Sequence, residues 1–254
     1  MSESSEHNTS QSIQRHSLGG SIALHLVPGL LTALAAFGLG TLLHNRGLPV
    51  TLAFYTATLL VLFPLIIGVP LLIEKKRTEK IDLREIIPYQ EPLPAWQMVL
   101  IVLGIVLWSG LVFLAAGSAL AAPLREAVFA HLPAWYDLGY YLTEGVYSRG
   151  AVVTTWALGI LFATFLGPFL EELYFRGYLL PRLPLPGIWA PLAGVLLFAL
   201  YHFWSPWLVL VRIVALIPLV VAVWWKKNFW IGVYAHLLVN LIGDTLSSIP
   251  LVFP

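Results

Sequence analysis

Leu166-Gly167-Pro168-Phe169-Leu170-Glu171-Glu172-Leu173-Tyr174-Phe175-Arg176 closes an apolar run that begins near Ala151. Two adjacent carboxylates and a guanidinium therefore arrive at the end of what reads as a membrane-crossing helix. Ionisable groups at that depth are expensive to hold in hydrocarbon, and by default they mark function. Glu172 and Arg176 stand at i and i+4 with the acid first, the favourable order for a helical ion pair, so Arg176 is expected to pair with Glu172 and brace the motif. Glu171 points about 100° away around the helix and is left as the water-facing carboxylate. The plainer alternative is a solvated helix end near the interface, and spacing alone leaves both open.

Composition decides the solvent. Apolar residues make up 59% of the 254 and charged residues 11%, and mean hydropathy is +0.84. An ordinary soluble domain is about a quarter charged. The expected fold is all-α, a polytopic transmembrane helical bundle with length for about seven spans of roughly 20 residues each. The net charge of +1 is shared among loops and forms no continuous basic stripe, so nucleic acid is not an expected partner. The absence of cysteine excludes a thiolate nucleophile, a disulfide and Cys-ligated zinc.

Residues 1–20, rich in Ser, His, Asn and Gln, are expected to be a disordered tail and not a cleavable signal. Residues 21–254 then form one transmembrane domain, with the candidate motifs in 166–247. Spans are expected over 21–43, 49–73, 96–122, from near Ala151 through the Glu pair, then 188–203, 206–225 and 229 to about 247. The segment 123–150, with Trp135, Tyr136, Tyr140, Tyr141 and Tyr147, makes no clean span and is expected along the headgroup layer. Short cytoplasmic loops collect Lys and Arg. Placing Lys75, Lys76, Arg77, Lys80 and Arg84 inside brings Arg176, Arg182, Lys226 and Lys227 inside too, and leaves Arg46, Arg125 and Arg149 outside. This predicts a cytoplasmic N-terminus and a Glu pair in the cytoplasmic half.

Depth tests the remaining polar residues. At about 1.5 Å of rise per residue, His236 lies roughly 10 Å and Asn240 roughly 16 Å into the last helix, level with Glu171 and Glu172 at roughly 12 to 14 Å. His236 and Asn240 are i and i+4 and share a face. His202 would lie roughly 21 Å along a helix starting at Ile188. It reaches the others only if that fifth segment is tilted or re-entrant. Each histidine alone is as well explained by interhelical hydrogen bonding. The convergence of Glu171, His202, His236 and Asn240 at compatible depth points instead to water activation inside a membrane.

Glu171-Glu172-x-x-x-Arg176, then Phe198-x-x-x-His202, then His236-x-x-x-Asn240, resembles the CPBP family of intramembrane proteases, which includes the CAAX prenyl endoproteases and the bacterial Abi-type proteins. The likeness covers roughly the last hundred residues. It implies about eight helices, with one missed in 123–150 or two merged. It also implies an intramembrane endopeptidase acting on a membrane-associated substrate, with prenylated CAAX-type and other membrane peptides both open, and the short, loop-poor architecture points to a bacterial cytoplasmic membrane. By the resemblance, Glu171 and His202 hold and deprotonate the attacking water while His236 and Asn240 donate to the oxyanion. Glu172 belongs to the same catalytic group, with Arg176 and Phe198 in support.

The family is also described as metal-dependent, and Glu171, His202 and His236 offer three zinc ligands with water in the fourth place. A His-Glu-x-x-His motif is absent, so the expectation is a glutamate mechanism without cofactor, with zinc as the alternative. A non-catalytic scaffold or immunity-type protein, or a transporter, is the rival from another class; no inverted repeat supports transport. No glycine-flanked serine elbow supports a Ser-His dyad through Ser109 or Ser118. Asp137 falls outside the spans, which argues against an aspartyl pair with Asp244. Asp244 and Arg212 reach similar depth on adjacent helices and are expected to form a structural ion pair. His25, His44 and His131 are assigned to packing or the interface.

Overall fold

The computed structural model describes residues 13–79 and 81–253. Among them, six helices are long and apolar enough to cross a membrane: α1 (Leu18–His44), α2 (Val50–Arg77), α3 (Ala95–Ala127), α4 (Arg149–Arg182), α6 (Pro206–Lys226) and α7 (Trp230–Val252). Between α4 and α6 lies a shorter apolar helix, α5 (Trp189–Tyr201). The all-α polytopic bundle is as composition requires, with six membrane-length helices and, in place of the fifth of about seven expected spans, a short one. Large apolar side chains such as Leu60, Leu107, Leu114 and Trp189 face outward, as they do in a protein solvated by lipid.

Of the expected tail, residues 1–12 lie outside the described residues, as does Lys80 of the basic loop. α1 starts three residues before the expected position because Ser17 caps it, its Oγ accepting from the Gly20 N–H at 3.1 Å. The fifth segment differs from the expected span. Its 13 helical residues cover only about 20 Å. The helix ends at His202 with φ −80° and ψ 58°, and a non-helical stretch carries the chain on to Pro206, where α6 begins.

Wide, π-type turns interrupt the long helices at Thr58–Leu62, Ile160–Leu166, Glu172–Leu179 and Leu241–Leu246. Each stands just ahead of a proline, at Pro64, Pro168, Pro181 and Pro250. A proline ring presses on the carbonyl four residues back and donates no hydrogen bond, so the preceding turn opens instead of breaking. These wide turns pass through the candidate site.

The segment 128–148 holds two short turns, Ala134–Tyr136 and Leu138–Leu142, and no further long helix. It caps the end of the bundle where α1 meets α2. Trp135 stacks on His44 with ring centroids 4.9 Å apart, the Tyr147 hydroxyl lies 3.0 Å from His44 Nδ1, and Thr51 donates to the Leu138 carbonyl at 2.7 Å. At the other end, buried Arg182 bonds Glu74 at 3.2 Å and donates to the carbonyls of Tyr178, Glu85 and Ile86. That node ties α2, the basic loop and α4 together.

Candidate active site

Glu172 is fully buried, and one oxygen does most of its work. Oε1 lies 3.1 Å from Arg176 Nη1 and 2.9 Å from His236 Nδ1. The i, i+4 pairing within α4 follows from helical spacing and survives the wide turn that begins at Glu172. α7 supplies the histidine, and Gly232, one turn before His236, lets the helices close: a Cβ there would collide with Glu172 Oε2. The Arg176 guanidinium carbon also sits 3.9 Å above the Phe198 ring, adding a cation–π contact to the buried pair.

A carboxylate can only accept, so His236 Nδ1 carries its proton toward Glu172 and Nε2 is left for other work. His202 is arranged alike: its Nδ1 donates to the Phe198 carbonyl at 2.8 Å, again leaving Nε2. The ring stands at the broken end of α5, 4.7 Å from Phe198 and 5.0 Å from Tyr201 between centroids. Close packing brings this helix end inward. A Cβ on Gly29 of α1 would overlap the Tyr201 carbonyl, so the glycine admits α5's last turn. Non-helical backbone at membrane depth is tolerated only where protein or a watered cavity covers it.

Glu171 differs from its neighbour. It keeps 8% exposure against none for Glu172, and its Oε1 accepts from the Tyr201 hydroxyl at 3.2 Å. Tyr201 is thus a site contact that sequence reasoning passed over, although it adjoins His202. Gly232 was equally findable, lying on the His236 face. Glu171 and His202 form no direct hydrogen bond; Tyr201 of α5 reaches Glu171, and Phe198 of the same helix packs on the His202 ring. Asn240 donates from Nδ2 to the Ala163 carbonyl at 2.8 Å, a carbonyl on the wide turn of α4, leaving one amide hydrogen unused.

The expected Arg212–Asp244 ion pair does not form. Arg212 instead donates from Nη1 to the Ser205 carbonyl at 2.9 Å and from Nη2 to Ser205 Oγ at 2.6 Å. The non-helical stretch after α5 carries Ser205 back over α6, a nearer partner than the opposite helix. Among the described residues no group of three or more His, Cys, Asp or Glu side chains is placed to hold a metal ion. Glu171, His202 and His236 therefore do not make a ligand set in this arrangement.

Beside these residues an apolar groove of about 450 Å³ runs between α3, α4 and α7, lined by Val102, Leu103, Phe165, Leu237 and Leu241 among others. Its α7 wall, formed by Tyr234, Leu237, Leu238 and Leu241, shares turns with His236 and Asn240, neither of which lines it.

Comparison with known families bears out the resemblance read from the motifs. Residues 153–242 match the family described as Type II CAAX prenyl endopeptidase Rce1-like. The matched stretch contains Glu171, Glu172, Arg176, Phe198, His202, His236 and Asn240, and omits α1 to α3. No curated protein and no solved structure matches the chain.

Proposed function

From the match of residues 153–242 to a CAAX-type endopeptidase family, we propose that the chain is an intramembrane endopeptidase that hydrolyses a membrane-associated, CAAX-type peptide substrate by carboxylate-activated water. The observation that carries this reading is the asymmetry of the two carboxylates. Glu172 is held by Arg176 and His236, while Glu171, also buried at 8% exposure, makes no ion pair among the described residues and has one oxygen bonded by Tyr201.

Glu171 takes a proton from water, with His202 Nε2 positioning it from the end of α5. The hydroxide adds to the scissile carbonyl. His236, held by Glu172 at Nδ1 and carrying protons on both ring nitrogens, donates from Nε2 to the oxyanion beside the spare Asn240 amide hydrogen, a type of contact worth about 3–4 kcal/mol when removed. Glu171 then returns the proton to the leaving amine, which closes the cycle. The apolar groove along α7 suits a substrate segment that arrives from the lipid. The Lys75–Arg77 and Lys226–Lys227 end is assigned to the cytoplasm by its basic loops, with the N-terminus on that side.

The test uses purified protein in detergent with a panel of fluorogenic membrane peptides. Wild type cleaves, and Glu171→Ala and His202→Ala abolish cleavage while remaining folded and monodisperse. Undiminished cleavage by either variant removes the assignment. A wild-type protein that binds the peptides without cutting any of them belongs to the scaffold or immunity-type class instead.

A further inference from the structure

Two buried arginines of the bundle are matched by carboxylates. Arg176 has Glu172 at 3.1 Å and Arg182 has Glu74 at 3.2 Å. Arg212, in the middle of the site-bearing region, has no carboxylate within 4.0 Å among the described residues. Its hydrogen bonds go to a neutral partner, Ser205, through both Nη atoms. Ser205 satisfies two of the guanidinium's five N–H groups and none of its charge. Unlike Arg176 at 1% and Arg182 at 2% exposure, Arg212 is only half-buried.

Its place is next to the reacting groups. Ser205 N donates to the His202 carbonyl at 3.0 Å, so the residue that holds the guanidinium closes the turn ending α5. The charge acts electrostatically on His202, Glu171 and Asp244, yet neither acid comes into ion-pair contact. An uncompensated cation at membrane depth is expensive and lines a substrate path or awaits a partner. A guanidinium locked on one edge, with coplanar N–H groups left over, fits a carboxylate.

We propose that Arg212 is a binding residue for the terminal α-carboxylate of the peptide substrate. This rests on the protease reading above. The peptide's carboxylate completes the ion pair that neither Glu171 nor Asp244 makes, and Ser205 holds the fork ready for it.

The test compares three peptides of one sequence ending in a free acid, in an amide, or in an amide whose last side chain is Glu, with full-length protein in nanodiscs. Wild type is expected to cleave the free acid with kcat/KM about 10- to 100-fold above the amide, the worth of one charged hydrogen-bonded contact. In Arg212→Gln that ratio falls to about one; in Arg212→Lys, which keeps the charge without the fork, it is intermediate. Misfolding lowers all three rates and leaves the wild-type ratio to decide. Equal cleavage of acid and amide by wild type, or a ratio retained in Arg212→Gln, overturns the proposal. A Glu-ended amide cut as well as the free acid overturns the terminal assignment. Should wild type cut none of the peptides, the protease reading fails by itself. The subsite is then judged by affinity from tryptophan fluorescence, and equal binding of acid and amide overturns it.

Discussion

Glu172 Oε1 lies 2.9 Å from His236 Nδ1 across the α4–α7 contact, and this one approach assigns both residues. It commits the deeper carboxylate to a histidine, which leaves Glu171 for the water-activating role in the proposed mechanism. It also places a proton on His236 Nδ1, since a carboxylate accepts and never donates when ionised.

Glu172→Gln leaves the Arg176 guanidinium, 1% exposed, without a counter-charge. Breaking one side of such a pair costs about 3–5 kcal/mol. A lowered thermal midpoint in detergent, with slower cleavage as His236 loses its anchor, is the expected result. Replacing both partners, Glu172→Leu with Arg176→Met, should recover most of the stability and none of the cleavage. An unchanged midpoint in the single variant contradicts the buried pair.

Gly232→Ala should act through geometry, because its methyl group would overlap the Glu172 carboxylate. Overpacking costs about 1–3 kcal/mol, and here the displaced group is the one that holds His236. Gly104→Ala and Gly110→Ala on α3, with nothing within 4 Å of the added carbon, serve as controls. Both controls should stay within about 0.5 kcal/mol of the parent. Equal activity in all three variants would show that the α4–α7 approach has no catalytic consequence.

Tyr201→Phe deletes one hydroxyl, 3.2 Å from Glu171 Oε1, and little else. If that hydroxyl steadies the base, kcat should fall about tenfold with KM nearly constant, the size expected for one hydrogen bond to a charged group. A change confined to KM would assign Tyr201 to substrate contact instead.

Arg182→Met separates stability from chemistry. The arginine holds Glu74 at 3.2 Å and donates to three backbone carbonyls, far along α4 from the Glu pair. Its loss should cost about 3–5 kcal/mol, read as a lower thermal midpoint, while cleavage per folded molecule is retained. A proportional loss of activity at a temperature where the variant is fully folded would refute that separation.

Exhaustive treatment with a strong chelator should leave cleavage intact, since Glu171, His202 and His236 are not grouped as a ligand set. Elemental analysis of the purified protein checks the same point independently. Activity lost on chelation and restored by stoichiometric zinc would favour the metal-dependent alternative.

Local rules carried the sequence reading a long way. Helix positions followed from runs of apolar residues, and the Glu172–Arg176 pair from an i, i+4 spacing that any helix enforces. The prolines that open the four wide turns are equally visible in the sequence, and so is the amphiphilic cap at 128–148, which packs through Trp135 and Thr51 on the bundle end. The Arg212–Asp244 expectation failed because depth along two helices says nothing about which way each face is turned. Matched height does not by itself bring two side chains into contact, and here Ser205 takes the guanidinium instead.

The sequence by itself determined the solvent this chain lives in, its succession of helices and the side chain types available for chemistry, because hydropathy and helical period act over one or two turns. Only the tertiary structure decided that His236 leans on Glu172, that α5 stops at His202 against Gly29, and that Arg212 stands without an acid. Those outcomes depend on how helices cross and how wide turns rotate their faces, and such angles are set by packing between residues far apart along the chain.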